Sequence, residues 1–455
     1  MTQLQDYRAW YEAHEKSIHD DFFTFLRFQS ISADSAYKEQ VRSCANWLLK
    51  QFKEIGFKTE LWETEGHPIL FAERPGPGPT LMIYNHYDVQ PVDPLDLWES
   101  PPFEPEVREG DVYARGAVDD KGQCFYTFAA LKAFLELTKD PSLHLKVFIE
   151  GEEEIASTAT MKALEEHAEA LKADHLLLVD SHLAAPGVPA ITLGLRGIVT
   201  MEIEVRNANQ DLHSGSFGGA VLNPLRALST AIASFWDIEG KITIPHFYDG
   251  VEPLSNEEKE CFCLEFDKER IANYFGIGAF ACESGCSLGE GVFVRPTLEI
   301  NGLWGGYTGE GFKTVLPSTA HAKISCRLVP GQQPEQIFAH ISEAFKKALP
   351  EGLEWNLKMG EGAVAFRSSP DSRIVKTVSE AYEEVMGKPC RSILLGGSIP
   401  ITPLLAKISG AETVMMGYGL DEDGAHAPNE RFGLDRFQQG FLTMCSIFSR
   451  LANHD

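Results

Sequence analysis

Four apolar runs in this chain each lead into a residue that can ligate a metal. Leu81-Met82-Ile83-Tyr84-Asn85 leads to His86, and Leu145-Lys146-Val147-Phe148-Ile149 leads to the acidic run from Glu150 to Glu154. Leu176-Leu177-Leu178-Val179 ends at Asp180, and Thr413-Val414-Met415-Met416 passes through a Gly-rich loop to His426. Asp119, in Val118-Asp119-Asp120-Lys121-Gly122, joins them. Taken singly, each has an ordinary reading: a helix cap for Asp119-Asp120, a solvated acidic run, a turn aspartate, a loop histidine. Together, two histidines and three carboxylates can hold two divalent cations if one carboxylate bridges, with room for a water between them. Asp119 is the natural bridge because it comes from the loop between the others. The adjacent Glu153-Glu154 offers one ligand and one general base. Hard oxygen and borderline imidazole donors suit Zn, Mn or Co, with Zn placed first. In His86-Tyr87-Asp88 the imidazole and the carboxylate lie on one side of an extended segment. Asp88 can then accept the far ring N–H of His86 and fix which nitrogen faces a metal.

The elements that must position these groups follow from the same runs. Short apolar stretches closed by polar or Gly residues suit parallel strands covered on both faces, whose ligands gather beyond their carboxyl ends. Val41, Cys44, Trp47, Leu48, Gln51, Phe52 and Ile55 follow helical spacing up to Gly56. A second helix begins near Lys121-Gly122, and Pro75-Gly76-Pro77-Gly78-Pro79 is a rigid turn ahead of the strand before His86. From about Leu195 the pattern changes to alternation: Val199, Met201, Ile203 and Val205, then Ala322, Ile324, Cys326 and Leu328, then Leu353, Trp355, Leu357 and Met359. With a helix opened by Asn223-Pro224, a strand near Thr297, and a helix through Ile337, Ile341, Ala344, Phe345 and Ala348, this is a β-α-β-β-α-β plan. The expected architecture is an α/β catalytic domain (residues 1–194 and 364–455) with a mostly parallel, doubly wound sheet. An α+β domain (residues 195–363) interrupts it.

At 455 residues the chain is too long for one core, which supports two domains. A net charge of −26 argues against nucleic-acid backbones or anionic membranes as partners, since both need a basic surface. The N-terminus lacks a basic start with an apolar core, so a cytoplasmic protein is expected. Nine scattered cysteines do not form a disulfide framework. Cys261, Cys263, Cys282 and Cys286 depart from common zinc spacings and are read as reduced thiols.

The motifs also carry a family resemblance. His86-x-Asp88, Ala114-Arg115-Gly116-x-x-Asp119-Asp120-Lys121-Gly122, Glu150-Gly151-x-Glu153-Glu154, Asp180 and Gly424-Ala425-His426 resemble the signature set of the M20 di-metal metallopeptidases. The nearest likeness is to the carnosinase-like, cytosolic non-specific dipeptidase branch. Trp98-Glu99-Ser100-Pro101-Pro102-Phe103, Asp211-Leu212-His213-Ser214-Gly215, Lys313-Thr314-Val315-x-Pro317, Arg327-Leu328-Val329-Pro330 and Gly396-Gly397-Ser398-Ile399-Pro400 are similar to that branch as well. The resemblance implies one metal on His86, Asp119 and Asp180, another on Asp119, Glu154 and His426, and Glu153 as the base. It implies a lid and dimerisation role for the inserted domain, with His213 reaching the partner subunit's site in a homodimer. Thr314, Arg327 and Ser398 match substrate-contacting positions, with Arg327 on the terminal carboxylate. Arg327 also lies on the polar face of its strand, and a planar guanidinium suits a carboxylate. Two departures stand out: Glu152 makes an acidic triplet, leaving a choice of base, and Ile155-Ala156 replaces a small Ser-Gly pair.

The leading expectation is therefore a metal-dependent dipeptidase acting on short peptides with a free C-terminal carboxylate. An N-acyl-amino-acid deacylase or desuccinylase shares every ligand and differs in the pocket. An inactive binding protein on the same fold has no need to keep Glu153.

Overall fold

The computed structural model describes residues 2–138, 141–251, 253–262, 264–397, 399 and 401–453. The chain divides into two compact units: Met1–Leu193 with Ser368–Ile393 and Ile399–Asp455, and Gly194–Arg367 with Leu394–Ser398.

The first unit is built on a mixed sheet whose strands run in the order Lys58–Trp62, Ile69–Arg74, His144–Glu150, Thr80–His86, His175–Val179, Glu412–Met416 and Ala190–Leu195. The four inner strands that carry the apolar runs are mutually parallel neighbours, whereas Lys58–Trp62, Ile69–Arg74 and Ala190–Leu195 pair antiparallel. Every residue of His175–Val179 is buried, as expected of a strand with both faces covered. Helix Lys38–Glu54 buries Val41, Cys44, Ala45, Leu48 and Phe52, and the chain leaves it through Gly56 at φ +89°, where a side chain would be strained. Helix Lys121–Leu137 starts directly behind Asp119-Asp120 and packs on Leu434–Ala452. A long first helix, Leu4–Leu26, buries Tyr7, Trp10, Tyr11, Ile18, Phe22, Phe25 and Leu26 on one stripe.

The second unit has a four-stranded antiparallel sheet in the order Thr297–Gly305, Thr319–Leu328, Gly197–Arg206, Glu354–Ala363. The buried residues of Gly197–Arg206 and Thr319–Leu328 are the alternating ones read from the sequence. Helices Pro224–Ala233 and Pro334–Ala348 pack against them in one core. Asn223 caps the first, its Oδ1 accepting from the N–H groups of Leu225 (2.8 Å) and Arg226 (3.3 Å). Among the described residues, no helix is long and apolar enough to cross a membrane.

Candidate metal centre

Because the four inner strands are parallel, their carboxyl ends open at the same edge of the sheet, and the loops leaving them converge there. His86 ends its strand fully buried, and Asp180 directly follows Val179. Asp119 lies between two imidazoles: Oδ1 is 3.0 Å from His86 Nε2, and Oδ2 is 3.0 Å from His426 Nε2. Asp180 Oδ2 lies 3.9 Å from His86 Nε2, and Glu154 Oε2 lies 3.1 Å from His426 Nε2. Two groups result, His86 with Asp119 and Asp180, and Asp119 with Glu154 and His426, each with donor atoms within 4.8 Å of one another. That spacing lets three donors close on a single ion at about 2.0–2.2 Å with small side-chain shifts, and the mixed N/O set fits Zn, Mn or Co. Asp119 belongs to both groups.

The electrostatics are those of crowded carboxylates. Burial pushes Glu154 up to about 7 and Asp180 up to about 6, with Asp119 adding to both. Glu153 is pushed well above the usual carboxylate range by burial, reinforced by Asp180, Glu154 and Asp119. Burial opposes charge on His86, yet the hydrogen bonds that its ring donates to Asp119 and Asp88 outweigh it and raise its pKa. Asp119 and then Glu154 raise His426 to about 11. A cation among these groups favours the charged carboxylates.

Buried Asp88 organises the site in two directions. Its Oδ1 and Oδ2 accept from the backbone N–H groups of Glu153 and Glu154, both at 3.2 Å, fixing the turn that presents these side chains. His86 Nδ1 lies 3.1 Å from the Asp88 carbonyl and 3.3 Å from its Oδ1, so the main chain and the carboxylate share its orientation. Glu152 is engaged elsewhere: its Oε1 accepts from His67 N–H (3.1 Å), and its Oε2 accepts from Thr160 N–H (3.0 Å). It anchors the start of helix Thr158–Glu166 and leaves Glu153 as the carboxylate beside the two groups. Gly151 permits this turn, since a Cβ there would lie 2.4 Å from the Tyr87 hydroxyl. Ala156, where the resembling branch has Gly, sits at φ +67°, a conformation that favours glycine. Asp120 does not cap its helix; its Oδ2 accepts from Asn85 Nδ2 (2.7 Å) and His86 N–H (3.2 Å).

Two residues without a spacing signal complete the centre. Gln90 donates to Glu154 Oε2 at 2.8 Å, and Glu430 accepts from the loop that carries Asp119.

His213, Thr314 and Arg327 belong to the second unit. Exposed His213 pairs with Val315 in a two-stranded ribbon, its Nδ1 accepting from Gly215 N–H at 3.0 Å. Thr314 lies beside it, its carbonyl accepting from Ser214 N–H at 3.0 Å. Arg327 is half-buried on the polar side of Thr319–Leu328, and burial pulls its pKa below the ordinary value. Ser398 and Cys263 lie outside the described residues. Cys261, Cys282 and Cys286 carry free thiols.

Comparison with known proteins agrees with this geometry. Residues 82–450 match the model of Peptidase family M20/M25/M40. The Cys-Gly metallodipeptidase dug1 of Schizosaccharomyces pombe is 30% identical, the match covering 97% of this chain and 98% of the relative. The human Beta-Ala-His dipeptidase is 30% identical, over 85% of this chain and 78% of the relative. The crystal structure of an M20 family metallo-carboxypeptidase from Sulfolobus solfataricus superposes with a TM-score of 0.86 at 31% identity, covering 96% of this chain and 99% of that one.

Proposed function

The chain belongs to peptidase family M20/M25/M40 and is a metallodipeptidase, and we propose that it cleaves the peptide bond of short peptides with a free C-terminal carboxylate. The observation that carries this reading is the placement of Asp119, with one carboxylate oxygen toward His86 and the other toward His426. In the reading, His86, Asp119 and Asp180 hold one divalent ion, and Asp119, Glu154 and His426 hold the other, Zn first with Mn or Co as alternatives. Bound there, two such ions supply Lewis acidity to a peptide carbonyl and make a water nucleophilic near neutral pH. Glu153 takes the proton from the attacking water and returns it to the departing amine. Asp88 keeps that glutamate and the His86 ring in place through the contacts described above. His213 donates to the oxyanion of the tetrahedral intermediate, and Thr314 and Ser398 hold substrate. In this proposal the protein is a cytoplasmic homodimer in which the second unit is lid and dimerisation domain. The direct test is hydrolysis of a panel of dipeptides, tripeptides and N-acyl amino acids by protein reconstituted with Zn or Mn. Turnover confined to the acyl amino acids would reject the peptide reading.

Arg327 is the proposed anchor for the terminal carboxylate. A charge-assisted bond in a closed site is worth about 1.5–3 kcal/mol, so Arg327→Ala and C-terminal amidation of the substrate should each lower kcat/KM at least about tenfold. Both changes delete the same contact, so their losses should not multiply. A two-by-two measurement with free and amidated dipeptide decides it, and fully multiplicative losses would place the anchor elsewhere.

His213→Ala should leave the metal content intact and lower turnover. Mixed with a metal-site variant it should recover activity, since a hybrid dimer contains one complete site. A fully active monomer at assay concentration would reject the composite site.

A further inference from the structure

Glu430 stands four residues beyond His426, and its fully buried carboxylate makes four contacts with the loop that ends at Asp119. Oε2 accepts from Arg115 Nη1 at 2.8 Å and from Gly116 N–H at 2.7 Å. Oε1 accepts from Val118 N–H at 2.9 Å and from Asp119 N–H at 3.1 Å. The main chain adds a fifth tie, Ala114 N–H to the Glu430 carbonyl at 3.1 Å. The Glu430 and Arg115 side chains are each 1% exposed, so water competes with none of these bonds. Arg115 also donates through Nη2 to the Pro91 carbonyl at 3.0 Å, which fastens the loop to the segment running on from Asp88. The loop has little slack: Gly116 sits at φ +83°, and a Cβ there would lie 2.7 Å from Val89 Cγ1.

We propose that Glu430 is a positioning residue for the metal pair. It joins the segment that supplies His426 to the loop that supplies Asp119, so the shared carboxylate and the distal imidazole reach the ions in fixed relation. The contact with the amide of Asp119 itself sets this role apart from general core packing. A displacement of that peptide passes directly to a carboxylate whose two oxygens must face two different imidazoles at 3.0 Å. Glutamine in this place keeps the shape but has one acceptor oxygen, so its NH2 group faces donors on one side. The chemical requirement is thus a carboxylate with both oxygens accepting.

The inference rests on the two-ion reading, and the test separates the two. Zn2+ affinity is measured by competition with a chromophoric chelator for the wild type, Glu430→Gln and Glu430→Asp, alongside the unfolding midpoint of each in excess chelator. Wild-type protein that binds no Zn2+ would overturn the two-ion reading itself. Given two bound ions in the wild type, Glu430→Gln should bind both at least about tenfold more weakly, in the range found when groups supporting metal ligands are removed. Glu430→Asp, which restores two acceptors on a shorter stem, should recover part of that loss. Should Glu430→Gln fail to fold, Glu430→Asp is judged by the same loss of affinity. A folded variant with a lowered unfolding midpoint and unchanged affinity for both ions would make Glu430 a packing residue and overturn the proposal.

Discussion

Glu153→Gln is expected to keep two metal ions and to lose about 10²–10⁴-fold in kcat, the usual worth of general-base assistance. The amide is nearly the size of the carboxylate, and the turn that presents it is held by the Glu153 N–H on Asp88 rather than by the side chain, so the site should keep its shape. What is lost is the ability to take the proton of the attacking water. The neighbouring Glu152 is not a substitute, because both its oxygens are occupied by His67 and Thr160. Glu152→Gln should accordingly cost stability at the start of helix Thr158–Glu166 and leave most of the turnover. Steady-state kinetics on metal-replete protein decide the matter. Near-normal turnover in Glu153→Gln, or a collapse confined to Glu152→Gln, would move the base role.

Asp119→Ala should lose both ions and with them nearly all activity, while Asp180→Ala and Glu154→Ala should each chiefly weaken one. The asymmetry follows from membership: Asp119 belongs to both donor groups, and the other two belong to one each. Removing a group that merely orients a ligand costs about 10–100-fold in affinity, so deleting the shared ligand should exceed 100-fold for the pair. Metal counting on purified variants after dialysis against a weak chelator reads this directly. Full two-ion occupancy in Asp119→Ala would reject the bridging role.

The residues of the two donor groups were legible in the sequence because His86 ends a strand, Asp180 directly follows one, and Glu154, Asp119 and His426 stand in short connections beyond strands. Fully buried parallel strands are written as uninterrupted apolar runs, and the residue where a run ends is visible without any structure. The alternating strands of the second unit were legible for the complementary reason, one face being buried and the other not. Helix Leu4–Leu26 was not singled out, because its buried stripe of aromatics is interleaved with many charges and carries no chemistry to draw the eye. Gln90 and Glu430 escaped for a different reason. Their roles depend on partners 64 and 311 or more residues away, on Glu154 in one case and the Asp119 loop in the other, and no local pattern encodes such a pairing. The choice between Glu152 and Glu153 likewise needed the fold. Three consecutive glutamates look alike in the sequence, and only the turn sends the first toward His67.

The strand Glu412–Met416 lies inside the sheet, between His175–Val179 and Ala190–Leu195. During synthesis its two neighbours emerge long before it does, and the whole second unit is made in the interval. A chain at that stage lacks the strand that separates them, and unpaired N–H and C=O groups along a bare strand edge are a template for pairing with other chains. His426 follows that strand in the chain, so its donor group with Asp119 and Glu154 also forms only after the second unit has been made. A fragment cut short of that strand is thus expected to expose an edge that associates with other chains.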